Sequence, residues 1–370
     1  MSGVAGTSDI NGTKPLPVDD AVVIAENLHV TFPIRQGFLK PKLSLHAVQD
    51  VDLRIGRCQA IGLVGESGSG KSTTGRALLR LVKIDQGRIL IDGVDISTLG
   101  NRELRPLRRH MQMVFQDPYS SLDPSSVIAD VVGEPLRVHE GIRGSARDAR
   151  VRDLLEQVGL SPRYLERYPY EFSGGQRQRI AIARAIALHP KLVVLDEAVS
   201  ALDVSTQNQI LELLEGLRTK LDVAYLFISH DLSVVRWIAE RVAVMYLGRI
   251  IEEGPIERVY TQPAHPYTES LLSAVPIPNP VVQRNRKRIV LSGDIPDPLH
   301  PPSGCAFRTR CMHAMEICAR VKPEPVEVSG GGWTACHLHT EIPGATLPSS
   351  LVPSRDAPIT SVAAAHVATG

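Results

Sequence analysis

Gly65-Glu66-Ser67-Gly68-Ser69-Gly70-Lys71-Ser72, followed by Thr73, is the stretch that decides the fold. Glycines stand at its first and sixth places and Lys-Ser closes it, the pattern of a phosphate-binding P-loop. The apolar run at 61–64 reads as a strand entering the loop, and 73–81 reads as a helix leaving it. In that setting the glycines let the backbone curl so that successive N–H groups face the phosphates. The helix N-terminus adds a partial positive charge. Lys71 is placed to reach the β- and γ-phosphates of ATP, and the Ser72 hydroxyl to ligate Mg²⁺. A glycine-rich strand–helix turn without a ligand would not require Lys71 and Ser72.

Outward from the loop, the chain from 21 to about 254 alternates short apolar runs with amphipathic stretches. Strands are expected at 61–64, 88–91, 111–115, 192–195, 224–228 and 242–246. Several are almost wholly apolar, as in a parallel sheet covered on both faces. Helices are expected at 73–81, 151–158, 176–188, 206–218 and 232–240, which makes the architecture α/β. Residues 118–171 break the alternation and read as a helical insertion. The run Leu192-Val193-Val194-Leu195 leads into Asp196-Glu197. A buried strand that ends in two carboxylates delivers them to the sheet edge where the phosphate loop lies. Asp196 is suited to hold Mg²⁺, and Glu197 to act as general base on the attacking water. The alternative for both is a solvated strand end.

Ser173-Gly174-Gly175-Gln176 opens the helix at 176–188. A serine N-cap followed by glycines makes a second anion site, or an ordinary helix cap. With this tetrapeptide the sequence resembles the ATP-binding subunits of ABC transporters. The P-loop, the signature Phe172-Ser173-Gly174-Gly175-Gln176, the Walker B run 192–197 and the D-loop Ser200-Ala201-Leu202-Asp203 stand in the family's order. So do the Q-loop glutamine Gln116 and the switch histidine His230. Phe172 replaces the family's usual leucine, one apolar anchor for another.

The resemblance implies an ABC-type nucleotide-binding domain and a head-to-tail dimer of cassettes. ATP would lie between Gly65, Glu66, Ser67, Gly68, Ser69, Gly70, Lys71, Ser72 and Thr73 of one cassette and Ser173, Gly174, Gly175 and Gln176 of the other. Gln116 would contact Mg²⁺ and water, His230 would hold Glu197 and the γ-phosphate, and Phe32 would stack on adenine. Lys71, Gln116, Glu197 and His230 are then the catalytic set, with Ser72, Gln116 and Asp196 at Mg²⁺. With the set complete, an active ATPase is expected rather than a regulatory cassette.

The chain has 370 residues and is 43% hydrophobic, enough for one large domain and a smaller appendage. Lys and Arg number 41 against 40 Asp and Glu, so charge gives no case for a nucleic-acid partner. The basic runs at 102–109 and 284–288 read as solvated faces. No run approaches the roughly 18 apolar residues of a spanning helix, and residues 1–17 lack the apolar core of a signal peptide. A cytoplasmic protein is therefore expected, and the resemblance implies a peripheral place on the cytoplasmic face of the membrane, docked on permease subunits. Domain boundaries are read as a disordered 1–20, the nucleotide-binding domain at 21–260 with a helical subdomain at about 118–185, a C-terminal region at 261–342, and a disordered tail at 343–370. The stretch 261–302 is proline-rich, as in a linker or extended wrap.

His265-Pro266-Tyr267-Thr268, the apolar 270–275 and the stretch 302–311 resemble the C-terminal region of oligopeptide/dipeptide importer ATPases. That resemblance implies dipeptide or oligopeptide uptake, with nickel, glutathione or oligosaccharide as alternatives. It further implies two transmembrane permeases, an extracytoplasmic binding protein and a second, distinct ATPase subunit rather than a homodimer. A soluble non-transport ABC ATPase is disfavoured by the single cassette and short insertion. Cys305, Cys311, Cys318 and Cys336 are spaced Cys-x5-Cys-x6-Cys-x17-Cys. A [4Fe–4S] cluster tolerates such spacing, structural zinc usually shows tighter knuckles, and the resemblance favours iron–sulfur. Zinc, no metal and an opportunistic disulfide stay open. His313, His337 and His339 read as surface histidines or alternative ligands, and Cys58 as a small core residue.

Overall fold

A computed structural model describes residues 21–34, 43–275, 289–291 and 293–340. The expectations of disorder at 1–20 and 343–370, the basic run at 284–288 and part of the proline-rich stretch lie outside these residues. Two sheets organise the rest. The first is antiparallel, ordered β2-β1-β4-β5, from β1 (Ala21–Ile34), β2 (Leu43–Gly56), β4 (Gln86–Ile91) and β5 (Val94–Asp95). The second has eight strands. Its parallel part runs β9-β3-β8-β7-β6, from β3 (Ala60–Val64), β6 (Met111–Val114), β7 (Leu192–Asp196), β8 (Ala224–Ser229) and β9 (Arg241–Tyr246). Strands β10 (Arg249–Pro255), β11 (Val326–Glu327) and β12 (Trp333–Thr334) extend it antiparallel.

The apolar runs behave as their composition dictates. Every residue of β3, β7 and β8 is buried, because helices or the antiparallel sheet cover both faces. A Leu→Ala change here costs about 2–5 kcal/mol. Helices α1 (Lys71–Leu78), α2 (Asn101–Leu107) and α3 (Pro118–Ser121) precede the insertion helices α4 (Ile128–His139) and α5 (Gly144–Gln157). Then come α6 (Gly174–Ile186), α7 (Val204–Leu221) and α8 (Leu232–Ile238). Leu136, Val151, Leu154, Phe172 and Ile180 close one core between the insertion and α6. A second core joins Leu28, Leu53, Leu78 and Ile89 between the two sheets. The insertion carries no strand among the described residues, and β4 belongs to the antiparallel sheet rather than the parallel one.

Part of the proline-rich stretch is helical: α10 (Pro266–Ala274) lies within it, after α9 (Ile256–Thr261), and both helices pack behind β9 and β10. Pro266 opens α10, where a missing N–H is harmless. The reading of 261–302 as a linker or extended wrap is corrected at α10. The described course continues through α11 (Glu316–Arg320) and β11–β12 to a 3₁₀ turn at His337–His339.

Candidate active site

Strand β3 ends at Val64 and α1 starts at Lys71, so the loop between them curls over the helix N-terminus. Gly70 has φ +106°, and a Cβ there would stand 2.3 Å from the Ala47 carbonyl oxygen. Only glycine fits. Lys71 is 5% exposed. Its Nζ donates to the carbonyls of Gly65 and Glu66, both at 2.8 Å. Burial lowers its pKa, opposed by the charges of Glu197, Asp196 and Glu66.

A cavity of about 700 Å³ opens over this loop. Ser67, Gly68, Gly70, Lys71, Ser72 and Thr73 line it, with Phe32, Gln116, Glu197 and His230. Segments far apart in sequence thus meet at one opening. Strand β7 delivers Asp196, which is 1% exposed and accepts a 2.7 Å bond from Ser72 Oγ. Burial raises the Asp196 pKa, offset in part by that bond and by Arg76. Glu197 follows at φ +49°. Its carboxylate accepts from Gln116 Nε2 at 2.8 Å and lies 3.2 Å from His230 Nδ1. Oxygen donors from Ser72 and Asp196 at the phosphate loop suit a hard cation such as Mg²⁺.

The signature turn is built separately. Ser173 caps α6, its Oγ accepting from the Gln176 N–H while Gln176 Oε1 accepts from the Ser173 N–H. This reciprocal arrangement is a capping box. Gly175 approaches α7 so closely that a Cβ would lie 2.3 Å from Thr206 Cγ2. Phe172 is 4% exposed and meets Tyr164 edge-on. Ser173, Gly174, Gly175 and Gln176 do not line the cavity of their own chain. A link to the Q-loop exists through Arg177, whose guanidinium lies 3.6 Å from the ring centroid of Tyr119.

Sequence reasoning missed the residues that grip the phosphate loop from behind. Arg310 holds the Glu66 carboxylate at 2.6 and 3.0 Å, and Tyr267 Oη accepts from the Glu66 N–H at 2.8 Å. It also missed Glu252, wholly buried, which pairs with Arg258 and accepts from the N–H groups of Ala264 and His265 at 2.9 Å. A run of charges on a strand gives no local sign of such distant partners.

All five cysteines are free thiols. Cys305, Cys311, Cys318 and Cys336 converge: Cys305 N–H donates to the Cys318 carbonyl at 2.8 Å. Burial pushes the Cys305 thiol up to about 11 and that of Cys336 up to about 12, each reinforced by its cysteine neighbours. Among the described residues, however, no group of three or more His, Cys, Asp or Glu side chains is arranged to hold a metal ion. The thiols as placed do not fit the expected [4Fe–4S] ligand set. His337 is buried, not superficial, with its Nε2 2.9 Å from the Val321 carbonyl. Cys58 is half-buried in a turn, donating to the Arg218 carbonyl.

Fold and site together define an ATP-hydrolysing cassette. The family model described as ABC transporter matches residues 48–200, and that described as oligopeptide/dipeptide transporter, C-terminal region, matches 251–318. The probable peptide ABC transporter ATP-binding protein y4tS of Sinorhizobium fredii is 46% identical over 344 residues, 93% of this chain and 97% of that protein. The oligopeptide transport ATP-binding protein AppF of Bacillus subtilis is 48% identical, covering 84% of this chain and 94% of that protein. Among solved structures, the ATP-binding cassette MJ0796, dimeric and bound to ADP and Pi, matches with TM-score 0.57 at 30% identity. It covers 63% of this chain and 98% of that one. The cbiO1 subunit from Clostridium perfringens, part of the ABC transporter complex cbiONQ, matches with TM-score 0.57 at 26% identity, covering 66% and 92%. The chain belongs to the ATP-binding proteins of ABC transporters, in the branch that carries the oligopeptide/dipeptide transporter C-terminal region.

Proposed function

We propose that this ATPase powers import of dipeptides and oligopeptides across the cytoplasmic membrane. The observation that carries the reading is the complete set at one opening, Lys71, Ser72, Gln116, Asp196, Glu197 and His230, joined to a C-terminal region of the peptide-transporter type. Glu197 takes the proton of the attacking water, while Gln116 and His230 fix its carboxylate. Lys71 turns from the loop carbonyls to the β- and γ-phosphates, and Phe32 at the rim meets adenine. Ser72, Asp196 and the side-chain oxygen of Gln116 would hold Mg²⁺, which neutralises charge on the phosphates.

The signature turn lies away from its own cavity, which supports completion of each site by Ser173–Gln176 of a second cassette. We favour a distinct partner chain over a second copy. Among the described residues no helix is long and apolar enough to cross a membrane, so two permeases would supply the path and a binding protein the cargo. A groove of about 560 Å³ beside the Q-loop, with exposed Leu81, Phe115 and Val138 on its wall, is the docking surface we assign to a permease. Cells carrying Lys71→Ala should lose uptake of labelled di- and tetrapeptides and keep nickel uptake. Loss of nickel uptake alone would overturn the peptide reading.

For the four cysteines we hold to iron–sulfur over zinc on their spacing and on the resemblance alone, since the thiols as placed form no ligand set. Loading would require deprotonation of Cys305, Cys311 and Cys336, whose thiols burial keeps protonated, and movement of the side chains into a ligand set. Iron and sulfide analysis after anaerobic purification tests this; colourless protein with one zinc would overturn it.

A further inference from the structure

Glu66 is the second residue of the phosphate loop, and the C-terminal region holds both its backbone and its side chain. The Glu66 N–H donates to Tyr267 Oη at 2.8 Å. The carbonyl of the same peptide unit, that of Gly65, accepts from Lys71 Nζ at 2.8 Å. A trans peptide points its N–H and C=O in opposite directions, so Tyr267 on one side and Lys71 on the other set the orientation of this unit. Arg310 then fixes the side chain with a bidentate pair, at 2.6 and 3.0 Å. Such a fork constrains orientation as well as distance. The pair is shielded, with side-chain exposures of 7% for Arg310 and 26% for Glu66.

The clamp has a rigid base. Tyr267 is fully buried, its ring centroid 4.7 Å from that of Tyr246 and 5.4 Å from that of Phe307. Arg310 stands one turn beyond Phe307, its N–H donating to the Phe307 carbonyl at 3.0 Å. One aromatic cluster therefore positions both hands of the grip.

We propose that Tyr267 and Arg310 are positioning residues for ATP: the C-terminal region sets the conformation of the phosphate loop in cis and thereby its affinity for nucleotide. This rests on the reading that residues 65–73 carry the phosphates. A clamp that merely fastened the region to the cassette would lower melting temperature and leave ATP affinity of the folded protein unchanged.

The test uses the full chain, a fluorescent ATP analogue with Mg²⁺, and steady-state hydrolysis. Tyr267→Phe deletes only the hydroxyl and should weaken binding about threefold. Arg310→Ala and Glu66→Ala should each weaken it about tenfold. The double variant should be no weaker than the weaker single, because both act through one contact, and Arg310→Lys should recover part. KM for ATP should rise while kcat changes little. Wild-type affinity in folded variants, or additive losses in the double variant, would overturn the proposal. Lys71→Ala separates the two readings. If it binds ATP normally the loop reading itself fails; if it fails to bind while Arg310→Ala binds normally, only the clamp is lost. Should Arg310→Ala not fold, Tyr267→Phe decides alone, and normal affinity there would overturn the proposal.

Discussion

Gln116 Nε2 donates a 2.8 Å hydrogen bond to Oε2 of Glu197, and the other oxygen of that carboxylate lies 3.2 Å from His230 Nδ1. The carboxylate is thus held at both oxygens by residues from two different loops. Glu197→Gln keeps the shape of the side chain and removes its basicity. We expect kcat to fall about 10²- to 10⁴-fold with ATP binding retained, measured by phosphate release. Hydrolysis at the wild-type rate would remove Glu197 from the mechanism.

Gly175 sits against Thr206 with no room for a Cβ. Gly175→Ala should lower stability by about 1–3 kcal/mol through overpacking and displace the signature turn. Thr206→Ser removes the clashing methyl, so the double variant should regain stability and ATPase activity. Failure of that suppression in denaturant melts and hydrolysis assays would show that the contact does not govern the turn.

The buried Glu252–Arg258 pair anchors β10 to α9 and to the start of α10. Glu252→Ala leaves a buried guanidinium unpaired and two backbone N–H groups without their acceptor. Urea unfolding should report a loss of about 3–5 kcal/mol. A loss under 1 kcal/mol would mean that the network relaxes or admits water.

Burial lowers the pKa of His265 to about 3, with a smaller push from His339. An unfolded histidine titrates near 6.5. Below about 6.5 the unfolded chain therefore gains a proton that the folded chain refuses until about 3. Stability falls as pH falls through this window, by up to about 1.4 kcal/mol per unit. His265 Nδ1 also accepts from the Tyr267 N–H at 3.0 Å. His265→Asn keeps a capping acceptor without titrating, so its stability should fall less steeply between pH 6.5 and 5. Parallel profiles for the two proteins would refute the assignment.

The loops that meet at the cavity were legible because each is local: Lys71 follows its glycines and Glu197 follows its strand within a few residues. The buried runs of β3, β7 and β8 were legible for the same reason. Strand β1 was harder. Its register shifts, between Ala25 and Leu28 and again to Val30, break the two-residue alternation that marks a strand. The grip of Arg310 on Glu66 had no local signature at all, since 244 positions separate the two. Nor does cysteine spacing report side-chain direction, which is why four converging thiols could be foreseen and their failure to form a ligand set could not.

Strand β12 covers the outer edge of β10, with Glu252 opposite Thr334 and Glu253 opposite Trp333. The central sheet is therefore closed by a segment that the ribosome makes much later. At ~5–20 residues per second, a nascent chain carries β10 bare for roughly five to fifteen seconds. Unpaired strand edges recruit other strands. During that interval the β10 edge is open to pairing with other strands, until the chain's own C-terminal region arrives to cover it.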